Sequence, residues 1–367
     1  MFAEGPFPDE SLVFLVVVVG SDGGVWDWRP LVAVGLVAGQ LSAASIARYG
    51  GVHVAEGERA LAAARASGVL CDDGVIAESD RLLLMAELSS ERVAWVHVAA
   101  ARHLFAAGPD QLAEALAHAR AAGAAFPLTE LVAMADHGGR LSLSFHDYRV
   151  ACDLLRVADE SDISSDFRVQ AERLCDLAVA LDGLGDINGA RAVLARAVTL
   201  GEMAGDAGVV ARAACLYAFP ADWYLGDPRA AGLLQRAEAM PLDEADRVRV
   251  LAARAFVENR IPVTVIDGQQ TSWVTRPSAA RPYADEALAS SLDSDLDVRA
   301  LALLAWRTTH RAPRFLEQRR VVSAEALDVT QRLRYPSFQV EAAVMLAADA
   351  IESGDRALYD QALSVAR

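Results

Sequence analysis

The chain has 367 residues, 53% of them hydrophobic but only 7% aromatic, and a formal net charge of −16. That length allows two or three domains or one extended array, and an apolar fraction made of Ala, Val and Leu suits close-packed helices better than aromatic cages. The acidic balance argues against non-specific nucleic-acid binding, which needs a positive footprint. All 34 basic residues are arginine. Cys71, Cys152, Cys175 and Cys215 show no C-x-x-C spacing, so they read as buried thiols in a reducing cytosol rather than as disulfides or a zinc site.

Residues 1–10, with Gly5, Pro6 and Pro8, read as a ragged start, and Glu4, Asp9 and Glu10 stand where a signal peptide would be basic. The run Leu12 to Val19 is far too short to span a membrane. The glycines after it, Gly20, Gly23 and Gly24, invite a phosphate loop. That motif needs a lysine, however, and the chain has none; the dinucleotide fingerprint is also unmet. The expected location is cytoplasmic. Pro30 to Ala38 is an Ala/Val/Leu segment, and from Leu41 the pattern turns helical: Leu41 to Gly51, then His53 to Gly68, followed by a tight turn at Asp72-Asp73-Gly74. Two short helices and a hairpin outline a small winged-helix-like unit. Its basic residues Arg48, Arg59 and Arg65 are interspersed with Glu56 and Glu58, which suits packing rather than DNA readout. Ser89 to Phe105 is a helix with an N-cap serine, and Pro109 to Ala122 is another. His97 and His103 are not at the i, i+4 spacing of a helical metal pair.

Ala94, Trp95, His97, Ala99 to Ala101 and the turn Gly108-Pro109-Asp110 carry a family resemblance. They resemble the segment that follows the ATPase core in the large ATP-binding regulators of the LuxR type, where an Ala-rich helix leads into tetratricopeptide-like repeats. The phosphate loop and the C-terminal helix-turn-helix of that family have no counterpart within these residues.

Beyond residue 125 the pattern is one of helical hairpins. Phe126 to Glu160 gives the first, with Ala151, Leu155 and Ala158 along one face of its second helix. Ala171 to Leu200 is the most regular. Leu174, Leu177, Ala178 and Leu181 share a face of its first helix, Gly185-Asp186 makes the turn, and Ala190, Leu194 and Ala197 share a face of its second. Val209 to Ala218 pairs with Pro228 to Met240, with Gly226-Asp227 at the turn; Asp243 to Asn259 is helical throughout. Ile261 to Pro282 reads as a long polar loop, a feature that inside a helical array is either functional or disordered. Tyr283 to Leu292 resumes the helix. Asp297 to His310 pairs with Phe315 to Leu333, and Val340 to Ala366 makes the last hairpin, turning at Gly354-Asp355. Small residues where helices cross and Gly-Asp at the turns resemble the tetratricopeptide repeat, in a degenerate form lacking its early Trp, its later Tyr and its closing Pro. The expected fold is therefore all-α: a right-handed tetratricopeptide-like solenoid over 126–367, preceded by a winged-helix-like region over 1–125.

The candidate chemistry is thin. Asp293, Asp295 and Asp297 begin like a calcium loop, but Val298 and Leu304 occupy its glycine and glutamate positions, so an N-cap cluster explains them better. Asp136-His137 and His146-Asp147 flank Gly138-Gly139, read as a turn, with nothing to fix them together. Trp223-Tyr224, Trp273 and Trp306 are either groove anchors or core. No catalytic, cofactor-binding or metal-ligating residue is assigned. The expected function is a non-catalytic interaction or sensing module. It would take a protein, a peptide or a small-molecule signal on its concave face, without nucleic-acid or membrane binding. The last repeat reads as uncapped, either because a natural C-terminal part is missing, the favoured reading, or because that end docks on a partner or on another copy of the chain. The alternatives are an enzyme with a site around 261–282 (Asp267, Trp273, Arg276) and a truncated remnant without a function of its own.

Overall fold

The structure, a computed structural model, describes residues 27–366 except 72–73, 109–110, 219–227, 267–268, 293 and 334–335. It divides into two compact units, Met1–Leu141 and Ser142–Arg367.

The first unit holds α1 (Arg29–Val37), α2 (Ala43–Gly50), α3 (Val54–Ala66), α4 (Glu78–Ala86), α5 (Ser90–Ala107), α6 (Leu112–Ala121) and most of α7 (Leu128–Ser144). Its core gathers Leu31, Val34, Ile46, Tyr49, Ala60, Leu84, Val96 and Ala100. The helix starts are set by local chemistry. The Ser42 and Ser89 hydroxyls accept from the backbone N–H groups of Ser45 and Arg92, satisfying donors the helix leaves free. After α3 the backbone closes an antiparallel bridge between Leu70 and Ile76, where the hairpin is expected. The sequence pattern does not anticipate α4. Gly138-Gly139 is no turn: α7 runs through it without interruption, because Leu128, Leu131, Met134 and Ala135 supply enough helical period to carry two glycines.

The second unit opens with α8 (Tyr148–Ser161) and continues as five pairs. The first members, here called A helices, are α9 (Phe167–Gly183), α11 (Ala207–Ala218), α13 (Glu244–Asn259), α15 (Leu296–Thr309) and α17 (Pro336–Ser353). Their partners, the B helices, are α10 (Ile187–Ala204), α12 (Pro228–Glu238), α14 (Pro277–Ser290), α16 (Leu316–Leu333) and α18 (Arg356–Ala366). Each A helix packs on its own B helix, on the B helix before it, and on the neighbouring A helices, so the core runs on from pair to pair. This is a helical-repeat solenoid with tetratricopeptide-like hairpins.

In the second unit's most regular pair, every apolar residue assigned to the facing sides is buried: Leu174, Leu177, Ala178 and Leu181 on α9, Ala190, Leu194 and Ala197 on α10. Gly185 sits at φ 80°, where a side chain would be strained, and the Asp186 carboxylate accepts from Gly189 N–H to start α10. The later turn repeats the device, with Gly354 at φ 72° and Asp355 accepting from Leu358 N–H. The Gly226-Asp227 turn lies outside the described residues.

The expected loop over 261–282 is overturned. Strands β1 (Arg260–Ile266) and β2 (Gln269–Thr275) pair antiparallel, and α14 begins at Pro277 and runs through Pro282 rather than starting at Tyr283. The register shifts after Pro262, where a residue without a backbone N–H cannot donate to the ladder. A β-hairpin is thus inserted between α13 and α14, in a unit that is otherwise helical among the described residues.

Candidate functional site

All five A helices, together with α10, line a cavity of about 580 Å³. Val179, Leu194, Val209, Leu216, Leu301 and Phe338 give it an apolar floor. Its other wall is ionic, and it is built where the A helices begin.

At one end the Arg168 Nε atom lies 3.1 Å from Glu172 on its own helix and 3.1 Å from Asp206 at the start of α11. At the other end Arg249 lies 2.7 Å from Asp246 on its own helix and 2.9 Å from Asp297 on α15. Each set is a carboxylate–arginine–carboxylate triad with one negative charge in excess. Between them stand α11 and α13, and there the ladder lacks a rung. Arg168 is the second residue of α9; the second residue of α11 is Gly208. A Cβ built on Gly208 would lie 3.1 Å from Asp246 Oδ2 and 3.5 Å from Asp206 Oδ1, so two carboxylates converge over the missing side chain. Asp206 Oδ1 also accepts from Val209 N–H, capping α11. Among the described residues no arginine bridges Asp206 to Asp246. Arg212, one turn on from Gly208, is committed to Asp176 at 2.6 Å.

The electrostatics follow from this placement. Burial, helped by Asp243 and Asp206, holds the Asp246 carboxyl above its ordinary pKa despite the hydrogen bond from Arg249. Burial also pushes the Cys215 thiol, on the cavity wall, up to about 12, and does the same for Cys175 behind it. A thiol held neutral is a poor nucleophile. What the wall offers is fixed charge rather than reactive groups.

Two further clusters escaped the sequence pattern. In the first unit His97 and His118 meet Nδ1 to Nδ1 at 2.7 Å across α5 and α6, each half-buried and each with its pKa lowered by burial. In the second, Arg307 forks onto Asp349 at 2.7 and 2.6 Å, the Ser323 hydroxyl donates to the same carboxylate at 2.7 Å, and Arg319 lies 3.5 Å away. Asp349 is fully buried, so this cluster is internal structure rather than site.

The residues singled out from the sequence do not assemble into one site. His137 packs edge-on against Phe105, His146 takes φ 60°, and Asp147 caps α8 by accepting from Val150 N–H. His103 contacts Arg48 at 3.3 Å. Asp295 does stand at the N-cap of α15, but its side chain makes no capping bond, and Asp297 instead reaches Arg249. Trp306 belongs to the core: it stacks on His310 at 4.0 Å and donates its indole N–H to Asp285 at 2.8 Å. Trp223, Tyr224, Asp267 and Asp293 lie outside the described residues, Trp273 is placed only by its backbone in β2, and Arg276 is the exposed N-cap of α14. Among the described residues no three His, Cys, Asp or Glu side chains gather as a metal site would require. No helix among them is long and apolar enough to cross a membrane.

Fold and cavity together define a tetratricopeptide-like helical-repeat protein. No protein-family model and no curated protein matches the chain. Among solved structures, a similar chain is that of a Signal Transduction ATPase with Numerous Domains (STAND) protein with a tetratricopeptide repeat sensor, from Pyrococcus horikoshii. It is 12% identical, with a TM-score of 0.40, over 97% of this chain and 61% of that one. The chain thus spans less than two thirds of the length of that structure. A likeness at this score defines neither family nor function, and the architecture stands on its own contacts.

Proposed function

We propose that the helical-repeat unit is a non-catalytic sensing module that holds its signal in the A-helix cavity. The cavity's size carries this reading: about 580 Å³ falls within the few hundred to ~1,000 Å³ of small-molecule sites. It also admits one or two side chains of a docked peptide. The apolar floor and the incomplete ionic ladder favour an amphipathic occupant whose ammonium or guanidinium group completes the row between Asp206 and Asp246. The neutral cysteines and arginine-paired carboxylates favour binding over catalysis. The resemblance at Ala94, Trp95, His97 and Ala99 to Ala101 supports a place beside an ATPase in a cytoplasmic regulator of the LuxR type, with residues 1–125 as its winged-helix-like tail.

Thermal-shift measurements on the 367-residue chain, with panels of primary amines, guanidines and carboxylic acids, test the ligand chemistry. Amines or guanidines with an apolar body should stabilise the chain, and Asp246→Asn should abolish the effect. Stabilisation by acids alone, or by none of the three panels, would overturn the reading.

A further inference from the structure

A second site lies apart from the A-helix cavity and does not rest on the signal proposed for it. Helices α14 and α16 both pack on α15, and between them Leu288, Trp306, Val321 and Val322 line an open apolar groove of about 430 Å³. Val321 is 69% exposed there. Glu317 and Gln318 complete the lining, and Glu317 lies 3.5 Å from Arg320. One end of the groove is basic. Arg281 stands two turns before Leu288 on α14, and Arg314 and Phe315 immediately precede α16. The guanidinium carbons of Arg281 and Arg314 lie 5.1 and 4.8 Å from the centre of the Phe315 ring. That ring packs edge-on against both Trp306 and His310.

Among the described residues neither guanidinium pairs with a carboxylate, and the Arg281 Nε atom is buried without a hydrogen-bond partner. Asp285, one turn on from Arg281, is already engaged by the Trp306 indole N–H at 2.8 Å and by His310 at 3.2 Å. Both guanidiniums act on one imidazole. Burial first, then Arg281 and Arg314, holds the His310 pKa below its ordinary value, against its hydrogen bond with the Trp306 carbonyl and the charge of Asp285. A chain of net charge −16 thus keeps two unneutralised cations on one ring, an arrangement that an anion relieves. Helices α14 and α16 also begin at this end, and their dipoles add to the positive potential. We propose that the groove binds a soluble phosphate monoester with an apolar body. Arg281 and Arg314 would hold the phosphoryl group beside Phe315, and the body would lie along Leu288, Val321 and Val322. Two guanidiniums match a phosphate dianion in charge and in their forked donors. Seven residues of helix separate Arg281 from Leu288, about 10 Å, which is room for a short chain or one ring.

Isothermal titration of the full chain with hexyl phosphate, inorganic phosphate and hexanoate tests the proposal. Hexyl phosphate should bind at one saturable site. Inorganic phosphate should bind at least roughly tenfold more weakly, the worth of two buried methylenes. Hexanoate, with a single negative charge, should also bind more weakly. Arg314→Gln changes an exposed residue and should cost the ester about tenfold or more. Val321→Asn should weaken the ester and leave inorganic phosphate unchanged. Asp246→Asn, in the A-helix cavity, should change neither, which separates this site from the one proposed above. No binding of hexyl phosphate, binding indifferent to Arg314→Gln, or hexanoate or inorganic phosphate binding as tightly as the ester would each overturn the proposal. Retention of the chain on phosphatidic-acid vesicles without binding of the free ester would overturn it too, by giving the groove to a membrane surface.

Discussion

Gly208→Arg restores the missing rung and should stabilise the second unit at neutral pH. Three terms set the magnitude. Removing glycine from a helix gains about 0.5–1 kcal/mol. A cation in the first turn opposes the helix dipole and costs about 0.3–1 kcal/mol. The new guanidinium gains two ion pairs with carboxylates that are 24% (Asp206) and 14% (Asp246) exposed, each worth about 0.5–1.5 kcal/mol once discounted for solvent screening. A Cβ at 3.1 Å from Asp246 Oδ2 asks that carboxylate to move by only a few tenths of an ångström, at the free end of its side chain. At mid-range these terms sum to about 2 kcal/mol, or roughly 4–8 °C in Tm for a unit of this size. Gly208→Ala isolates the helix term. The pH dependence separates the charge term. Because the folded-state pKa of Asp246 is raised, the parent is destabilised above that pKa and recovers as pH falls through it, when the carboxyl protonates. In the arginine variant the added cation offsets that burial penalty, so protonation has less to relieve. Its advantage over the parent, read from urea unfolding at neutral and acid pH, should therefore shrink on acidification. An advantage that is absent at neutral pH, or that persists unchanged in acid, would refute the incomplete-ladder account.

Other outcomes follow from the remaining clusters. Asp349→Ala strands the Arg307 guanidinium in the core, and urea unfolding should show a loss of about 3–5 kcal/mol. His97 and His118 are held neutral, with folded pKa values below the ordinary ~6.5. The first unit should therefore lose stability as pH falls below that value, and the double variant His97→Asn/His118→Asn should flatten the slope measured by thermal melts. Cys71 is exposed while Cys152, Cys175 and Cys215 are buried, the last two with thiols at about 12. A maleimide should modify one thiol in the folded chain and four after denaturation.

The repeat was legible in the sequence because its signals are local. Leu174, Leu177, Ala178 and Leu181 fall at helical spacing, and Gly185-Asp186 announces a stop and a start within two residues. The ionic ladder was not, since its rungs join residues from different repeats, such as Arg168 with Asp206. One signal was available: with the A helices aligned, Gly208 falls on the position of Arg168, a glycine where its neighbour carries a charge. The β-hairpin over 260–275 was hidden by context. Val263, Thr264, Val265 and Ile266 followed by Asp267-Gly268 is a hairpin signal, but Pro262 and the helical surroundings favoured a loop. Gly138-Gly139 misled in the opposite direction, because glycine marks a turn only where the apolar period also breaks. The His97–His118 contact depends on how α5 crosses α6, which no spacing within either helix encodes.

The most direct test of the account is a crystal of the chain soaked with an amphipathic primary amine. The account predicts density in the A-helix cavity, with the ammonium over Gly208 between Asp206 and Asp246 and the apolar body against Leu216 and Leu301. Density for the amine elsewhere, with the cavity holding only water, would contradict it.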